Sequence, residues 1–152
     1  MPATPSGDRL YVNVSATETR RRLAGRGLGV RKVHSHGRNQ ATILHTAVGK
    51  HLQSLTRLFA DVGCSDDERQ LGQPIQNLRN LGAVSAGWLR DVGVLTIEQL
   101  GSLGPAAAYR LVKRRYPRCS LNLLWAIAAG LRELDWRELD DLEKSRLRAL
   151  VD

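Results

Sequence analysis

At 152 residues, 42% hydrophobic and 25% charged, the chain has ordinary globular composition and is long enough for one compact domain or two small ones. Its formal net charge of +8 and pI near 10.3 favour polyanionic partners. No apolar run reaches the ~20 residues of a bilayer span, the first seven residues lack the pattern of a secretory signal, and Cys64 and Cys119 read as two reduced, partly buried thiols with no CxxC spacing. A cytoplasmic location is expected.

In chain order, residues 1–8 read as a flexible lead-in and residues 10–14 as a strand. Ser15 or Thr17 can cap a short helix that ends at the glycines of residues 25–29. Two β-branched runs, residues 30–36 and 40–46, flank Gly37-Arg38-Asn39 and signal a hairpin. If Val33 lies opposite Ile43, then Val33, Ala41 and Ile43 share one face, and Lys32, His34, His36, Gln40 and Thr42 form a polar, mostly cationic one. Residues 47–62 carry an amphipathic stripe of Val48, Leu52, Leu55, Leu58, Phe59 and Val62. The acidic Ser65-Asp66-Asp67-Glu68 lies in a predicted linker, residues 64–73.

From there the pattern is helical. Helices are expected over residues 74–80, from a cap at Ser85 to about residue 92, and after a capping box of Thr96 and Gln99. Pro105 starts a further helix, Ser120 opens a long apolar one through residue 134, and Asp140 with Glu143 begins the last. The long helix and Trp88, Trp125 and Trp136 are expected in the core. The predicted fold class is α+β: a small basic α+β domain (residues 1–63), the linker, and an all-helical domain (residues 74–152) with a helix-hairpin-helix core.

The segment from Leu78 to Leu89 carries that last expectation. Asn80 and Gly82 suit a tight turn, Ala86 suits close helix packing, and Leu78, Leu81 and Leu89 supply core. The free N–H groups of the loop and of the second helix's first turn suit a phosphate oxygen. Asn80, Gly82, Ala83 and Ser85 are therefore candidate nucleic-acid contacts. Local sequence supports equally an ordinary helix–loop–helix that binds nothing.

The blocks Leu78-Arg79-Asn80-Leu81-Gly82, Ser85-Ala86-x-Trp88-Leu89, Gly93-Val94-x-Thr96, Gly104-Pro105-x-x-Ala108-Tyr109, Ser120-Leu121-Asn122-Leu123-Leu124-Trp125-Ala126 and Trp136-Arg137 together resemble the C-terminal domain of the TfoX/Sxy family of bacterial competence regulators. The resemblance covers roughly half the chain; residues 1–70 do not look like the family's usual N-terminal domain. It implies a helical domain without catalytic residues, in a protein that regulates competence genes alongside the cyclic-AMP receptor protein.

Between Thr19 and Ala60 there is no Asp or Glu, while Arg20, Arg21, Arg22, Arg26, Arg31, Lys32, Arg38, Lys50 and Arg57 supply positive charge. Arginine suits bidentate phosphate contacts, so the first seven of these are candidate nucleic-acid contacts and can form a single patch. Few aromatics interleave with them, which favours backbone contact over base stacking.

Gly25-Arg26-Gly27-Leu28-Gly29 follows a helix and lacks the dinucleotide-loop spacing, and Gly49-Lys50-His51 lacks the rest of a phosphate-binding loop. The four histidines, His34, His36, His45 and His51, do not converge as zinc would require. The expectation is a non-enzymatic protein with no cofactor, metal, membrane or small-molecule substrate. It is read as a nucleic-acid-binding regulator, bacterial and nucleoid-associated, with duplex DNA favoured over RNA. The alternative is a protein–protein adaptor that docks on a regulatory protein and makes no nucleic-acid contact.

Overall fold

The structure, a computed structural model, describes residues 8–152. The lead-in expected over residues 1–8 thus lies outside the described residues but for Asp8, which already belongs to a strand. The chain divides into two compact units, Met1–Pro74 and Ile75–Asp152. Among the described residues no helix is long and apolar enough to cross a membrane.

The first unit runs β1 (Asp8–Val12), α1 (Ala16–Leu23), β2 (Val30–Gly37), β3 (Gln40–His45), α2 (Gly49–Arg57), β4 (Cys64–Ser65) and α3 (Glu68–Leu71). Its sheet is antiparallel with strand order β2-β3-β1-β4, the split βαβ arrangement. The hairpin register is the predicted one, Val33 opposite Ile43. Val33, Ala41 and Ile43 join Leu10 and Val12 in a buried cluster closed by Leu23 of α1 and by Leu52, Leu55 and Phe59. Each fully buried Leu, Ile or Phe here stabilises by about 1.5–3 kcal/mol.

Local signals place α1, whose cap is Ser15: its hydroxyl accepts the Glu18 N–H. The second helix is shorter than the stripe over residues 47–62 predicts. Val48, counted in the stripe, is the N-cap and 72% exposed. Beyond Arg57 the chain tightens through bonds of the Phe59 N–H to the Thr56 carbonyl and the Val62 N–H to the Phe59 carbonyl. That change of winding still delivers Phe59 and Val62 to the core.

One expectation for this unit needs correction and another needs completing. Gln40 and Thr42 fall on the polar face that the register predicts, yet they are buried at 9% and 7% exposure on β3, an inner strand flanked by β1 and β2. The Gln40 amide donates to Asn13 Oδ1 (3.0 Å) and to the Gly72 carbonyl (3.1 Å), and the Asn13 amide donates to the Leu71 carbonyl (3.3 Å). Those bonds also overturn the linker over residues 64–73. Cys64 and Ser65 pair with Val12 and Tyr11, Asp67 caps α3, and Leu71 is buried. Acidic, polar composition reads as loop, whereas the partners that hold this segment lie 32 to 58 residues earlier.

The second unit holds a 3-10 turn (Ile75–Asn77), α4 (Ala83–Asp91), α5 (Ile97–Leu103), α6 (Pro105–Arg115), α7 (Leu121–Leu131), a 3-10 turn (Trp136–Glu138) and α8 (Asp141–Val151). The Thr96–Gln99 capping box and the caps at Ser120 and Asp140 stand where the sequence puts them. The helix expected over residues 74–80 is only a 3-10 turn, and α4 starts from Gly82, with Ser85 inside the helix rather than capping it. Helix α7 stops at Leu131, short of residue 134. Glu133 takes φ +58°, and the N–H groups of Glu133 and Leu134 reach back to the carbonyls of Gly130 and Ala129. Leu78, Ala86, Leu89, Leu100, Val112, Leu124 and Ile127 form the core around α7. Trp88 and Trp125 pack on it, but Trp136, expected there too, is 40% exposed.

Candidate nucleic-acid interface

The chain reaches α4 through a turn anchored on α7. Asn80 sits at φ +76°, a conformation that asparagine tolerates better than most residues. Its amide donates to the carbonyls of Leu134 (2.8 Å) and Ala126 (3.4 Å), and its Oδ1 accepts the Trp136 N–H (3.3 Å). Gly130 of α7 lies directly beneath: a Cβ there would stand 2.5 Å from the Arg79 carbonyl oxygen and 3.0 Å from Leu78 Cγ. Sequence reading offered Asn80 as a contact through the free N–H groups of the loop and gave its side chain no part in that contact. The structure uses the side chain to hold the turn.

The turn presents Gly82, Ala83 and Val84 to solvent, Val84 at 67% exposure. No side chain caps α4, so its first-turn N–H groups face outward at the positive end of the helix dipole. Ser85 turns the other way, into a cleft of about 400 Å³ that it shares with Trp88, Arg118, Ser120, Asn122 and Trp136. Ser85 of α4 and Ser120 and Asn122 at the start of α7 thus line the same cleft as Arg118. Lys113 holds the approach to it, its ammonium donating to the carbonyls of Pro117 and Cys119, each at 2.7 Å. Beside it Trp88 stacks on Tyr116 at 5.3 Å, the Arg115 guanidinium lies 5.4 Å from the Tyr116 ring, and the Tyr116 hydroxyl donates to Asp91.

Sequence reasoning missed Arg118, although a signal was present. Residues 99–132 form a second stretch without Asp or Glu, carrying Arg110, Lys113, Arg114, Arg115, Arg118 and Arg132. Arg110, Arg114, Arg115 and Arg118 are exposed. The model of the TfoX C-terminal domain matches residues 72–151. The chain belongs to the TfoX C-terminal domain family. No curated protein and no solved structure matches it. The TfoX domain therefore takes in the whole turn, the cleft and the second acid-free stretch.

The predicted cations of the first unit lie outside the TfoX domain and do not gather as expected. Glu18 and Asp61 bracket the acid-free stretch in sequence, and folding brings both onto Arg22. The Arg22 guanidinium forks onto Asp61 (2.7 and 3.0 Å), donates to the Leu58 carbonyl (2.8 Å) and lies 5.5 Å from the Phe59 ring. The Asp61 bonds push its pKa further up. Arg21 pairs with Glu18, Arg20 donates to the Val33 carbonyl of β2, and Arg26 donates to the Arg22 carbonyl. Arg31, Lys32 and Arg38 are exposed on β2 and its turn. Because α1 packs on the sheet face that Val33 lines, its arginines and Lys32 lie on opposite sides of the sheet.

Arg22 is thus a structural residue. Arg22→Ala is expected to cost the first unit about 1–3 kcal/mol, the range for hydrogen bonds to charged groups, read as a lower urea midpoint. Arg21→Ala, at an exposed pair, should change the midpoint by well under 1 kcal/mol.

The remaining candidates have structural placements. His45 is buried and its Nδ1 accepts the Ala47 N–H at 3.1 Å. Cys64 and Cys119 are free thiols whose pKa values burial raises. Among the described residues, no three His, Cys, Asp or Glu side chains are grouped to hold a metal ion.

Proposed function

We propose that this protein is a non-enzymatic, nucleic-acid-binding regulator whose TfoX domain grips the backbone of duplex DNA in the cytoplasm. The observation that carries this reading is the convergence of Arg118 with Ser85 of α4 and the start of α7 on one cleft. The two helix dipoles and the Ser85 and Ser120 hydroxyls at the cleft suit a phosphate oxygen, and arginine adds a bidentate partner. In this reading residues 75–91 act as a helix-hairpin-helix whose first helix has shrunk to a 3-10 turn, with Asn80 and Gly130 fixing the turn instead. The exposed Arg110, Arg114 and Arg115 extend the contact along α6. Regulation fits the family.

A second reading, an adaptor for a regulatory protein, is favoured by the exposed apolar Val84 and Trp136 at the turn and cleft. Salt separates the two, because phosphate contacts release counterions and apolar docking does not. Fluorescence anisotropy with a random-sequence duplex and a structured RNA at two salt concentrations is the test. We expect duplex binding that weakens steeply with salt, and about a tenfold loss in the double variant Arg114→Glu/Arg118→Glu, equivalent to about 1.4 kcal/mol. Unchanged affinity in that variant, with its thermal melt intact, would remove the cleft from the interface. A protein that binds neither nucleic acid at low salt would leave the adaptor.

A further inference from the structure

The long helices α1 and α2 of the first unit pack on one face of its sheet, while the short α3 reaches only part of the other, where Glu68 meets His36 and the Gly72 carbonyl accepts from Gln40. Leu10, Val12, Val33, Ala41 and Ile43 point into α1 and α2, so strand alternation turns their neighbours to the other face. The register arranges those neighbours in two rows across the sheet. His34, Thr42 and Tyr11 form one, and Lys32, Leu44 and Arg9 the next. With strands about 4.8 Å apart and alternate residues about 7 Å apart, the His34 and Tyr11 rings stand roughly 10 Å from each other, with the two cations one step along the strands. His34, Lys32 and Arg9 are exposed and Tyr11 is half-buried. The His36 ring leans on Tyr11 at 5.2 Å and 54°, and His36 Nε2 lies 3.1 Å from a Glu68 carboxylate oxygen, so Tyr11 is braced from one side.

We propose that this face binds single-stranded nucleic acid, with two non-adjacent bases of one strand stacking on Tyr11 and His34 and the intervening phosphates meeting Arg9 and Lys32. The spacing carries the argument. Two rings in one row and two cations in the next match a strand whose bases lie flat on the sheet while its backbone runs beside them. A duplex keeps its base faces stacked and has nothing to offer a ring on a flat sheet. An apolar peptide segment would find only Leu44 and the Tyr11 ring between charged neighbours. The acidic Glu68 on this side is engaged by His36, and the exposed Arg9 and Lys32 carry the positive charge of the next row. This surface belongs to the first unit and takes a different ligand from the TfoX cleft, so neither proposal depends on the other.

The experiment uses the full chain and two fluorescent probes, a twelve-nucleotide oligo-uridine and a random-sequence duplex, titrated by anisotropy. Tyr11→Ala should weaken oligo-uridine binding roughly tenfold, as loss of one stacked base does, while Tyr11→Phe stays within about twofold. His34→Ala, at an exposed position, keeps the fold whatever Tyr11→Ala does to stability and should weaken the oligonucleotide severalfold. Both variants should leave duplex binding unchanged, and Arg114→Glu/Arg118→Glu should leave oligo-uridine binding unchanged. Oligo-uridine affinity equal to the parent in folded Tyr11→Ala and His34→Ala, or no oligo-uridine binding at low salt, would overturn the proposal whatever the duplex does.

Discussion

Replacing Gly130 with alanine is expected to lower the melting temperature of the second unit by roughly 10 °C, although alanine is the better helix former. The Cβ would sit 2.5 Å from a main-chain oxygen, that of Arg79, and 3.0–3.1 Å from Leu78 side-chain carbons. No side-chain rotation relieves a clash with backbone, so either α7 or residues 78–80 must move. Overpacking of this kind costs about 1–3 kcal/mol and sometimes more, against about 1 kcal/mol gained from helix propensity. With a backbone clash at the upper end of that range, the net loss is about 2 kcal/mol, which corresponds to about 8–16 °C for a unit of this size. Gly87 and Gly101 are the controls. Each lies inside a helix with room for a methyl group, Gly87 having only the far end of Arg90 at 3.9 Å. Gly87→Ala and Gly101→Ala should each stabilise by up to about 1 kcal/mol. If Gly130→Ala melts alongside them, the approach of α7 to the turn is not what fixes the turn.

Asn80→Ala is expected to cost about 2.5–6.5 kcal/mol, and Asn80→Gly measurably less. Both changes remove the bonds to the Leu134 and Ala126 carbonyls and to the Trp136 N–H, each worth about 0.5–1.5 kcal/mol. Only alanine also pays for holding a Cβ at φ +76°, about 1–2 kcal/mol. Urea unfolding of the three proteins should therefore rank asparagine above glycine above alanine. Equal midpoints for the two variants would show that the left-handed backbone carries no cost here. Both should also weaken duplex binding, because the turn they loosen places the first turn of α4.

The Arg22 result bears on how charge is read from a sequence. Forty residues without an acid look like a cationic surface, yet the two carboxylates at the ends of that stretch come together on Arg22 near its start. The second acid-free stretch behaves differently. Its run from Arg110 to Arg118 lies on α6 and the loop after it, where most of the arginines remain exposed. Charge runs locate cations along the chain; only the fold says which of them face solvent.

Much of the architecture was legible because its causes are local. Ser15 with Glu18, Thr96 with Gln99, Ser120 with Asn122 and Asp140 with Glu143 each act across two or three residues, and each starts a helix. The β2–β3 register followed from alternation around a short turn, and the left-handed Asn80 from the tolerance of its side chain. The TfoX domain was readable from ordered blocks of residues, most of which prove to be caps, core or the turn itself. What the tertiary structure alone decided depends on groups far apart in sequence. Residues 64–72 join the first unit through Asn13 and Gln40, Arg22 is claimed by Asp61, and Asn80 is held by a carbonyl fifty-four residues on. Trp136 stays at the surface, and Arg118 meets Ser85 in a cleft that neither residue's neighbours announce. Caps and alternation are set by backbone geometry within a turn or a strand. Which polar groups are spent inside and which face outward is settled only when distant segments compete for them in three dimensions.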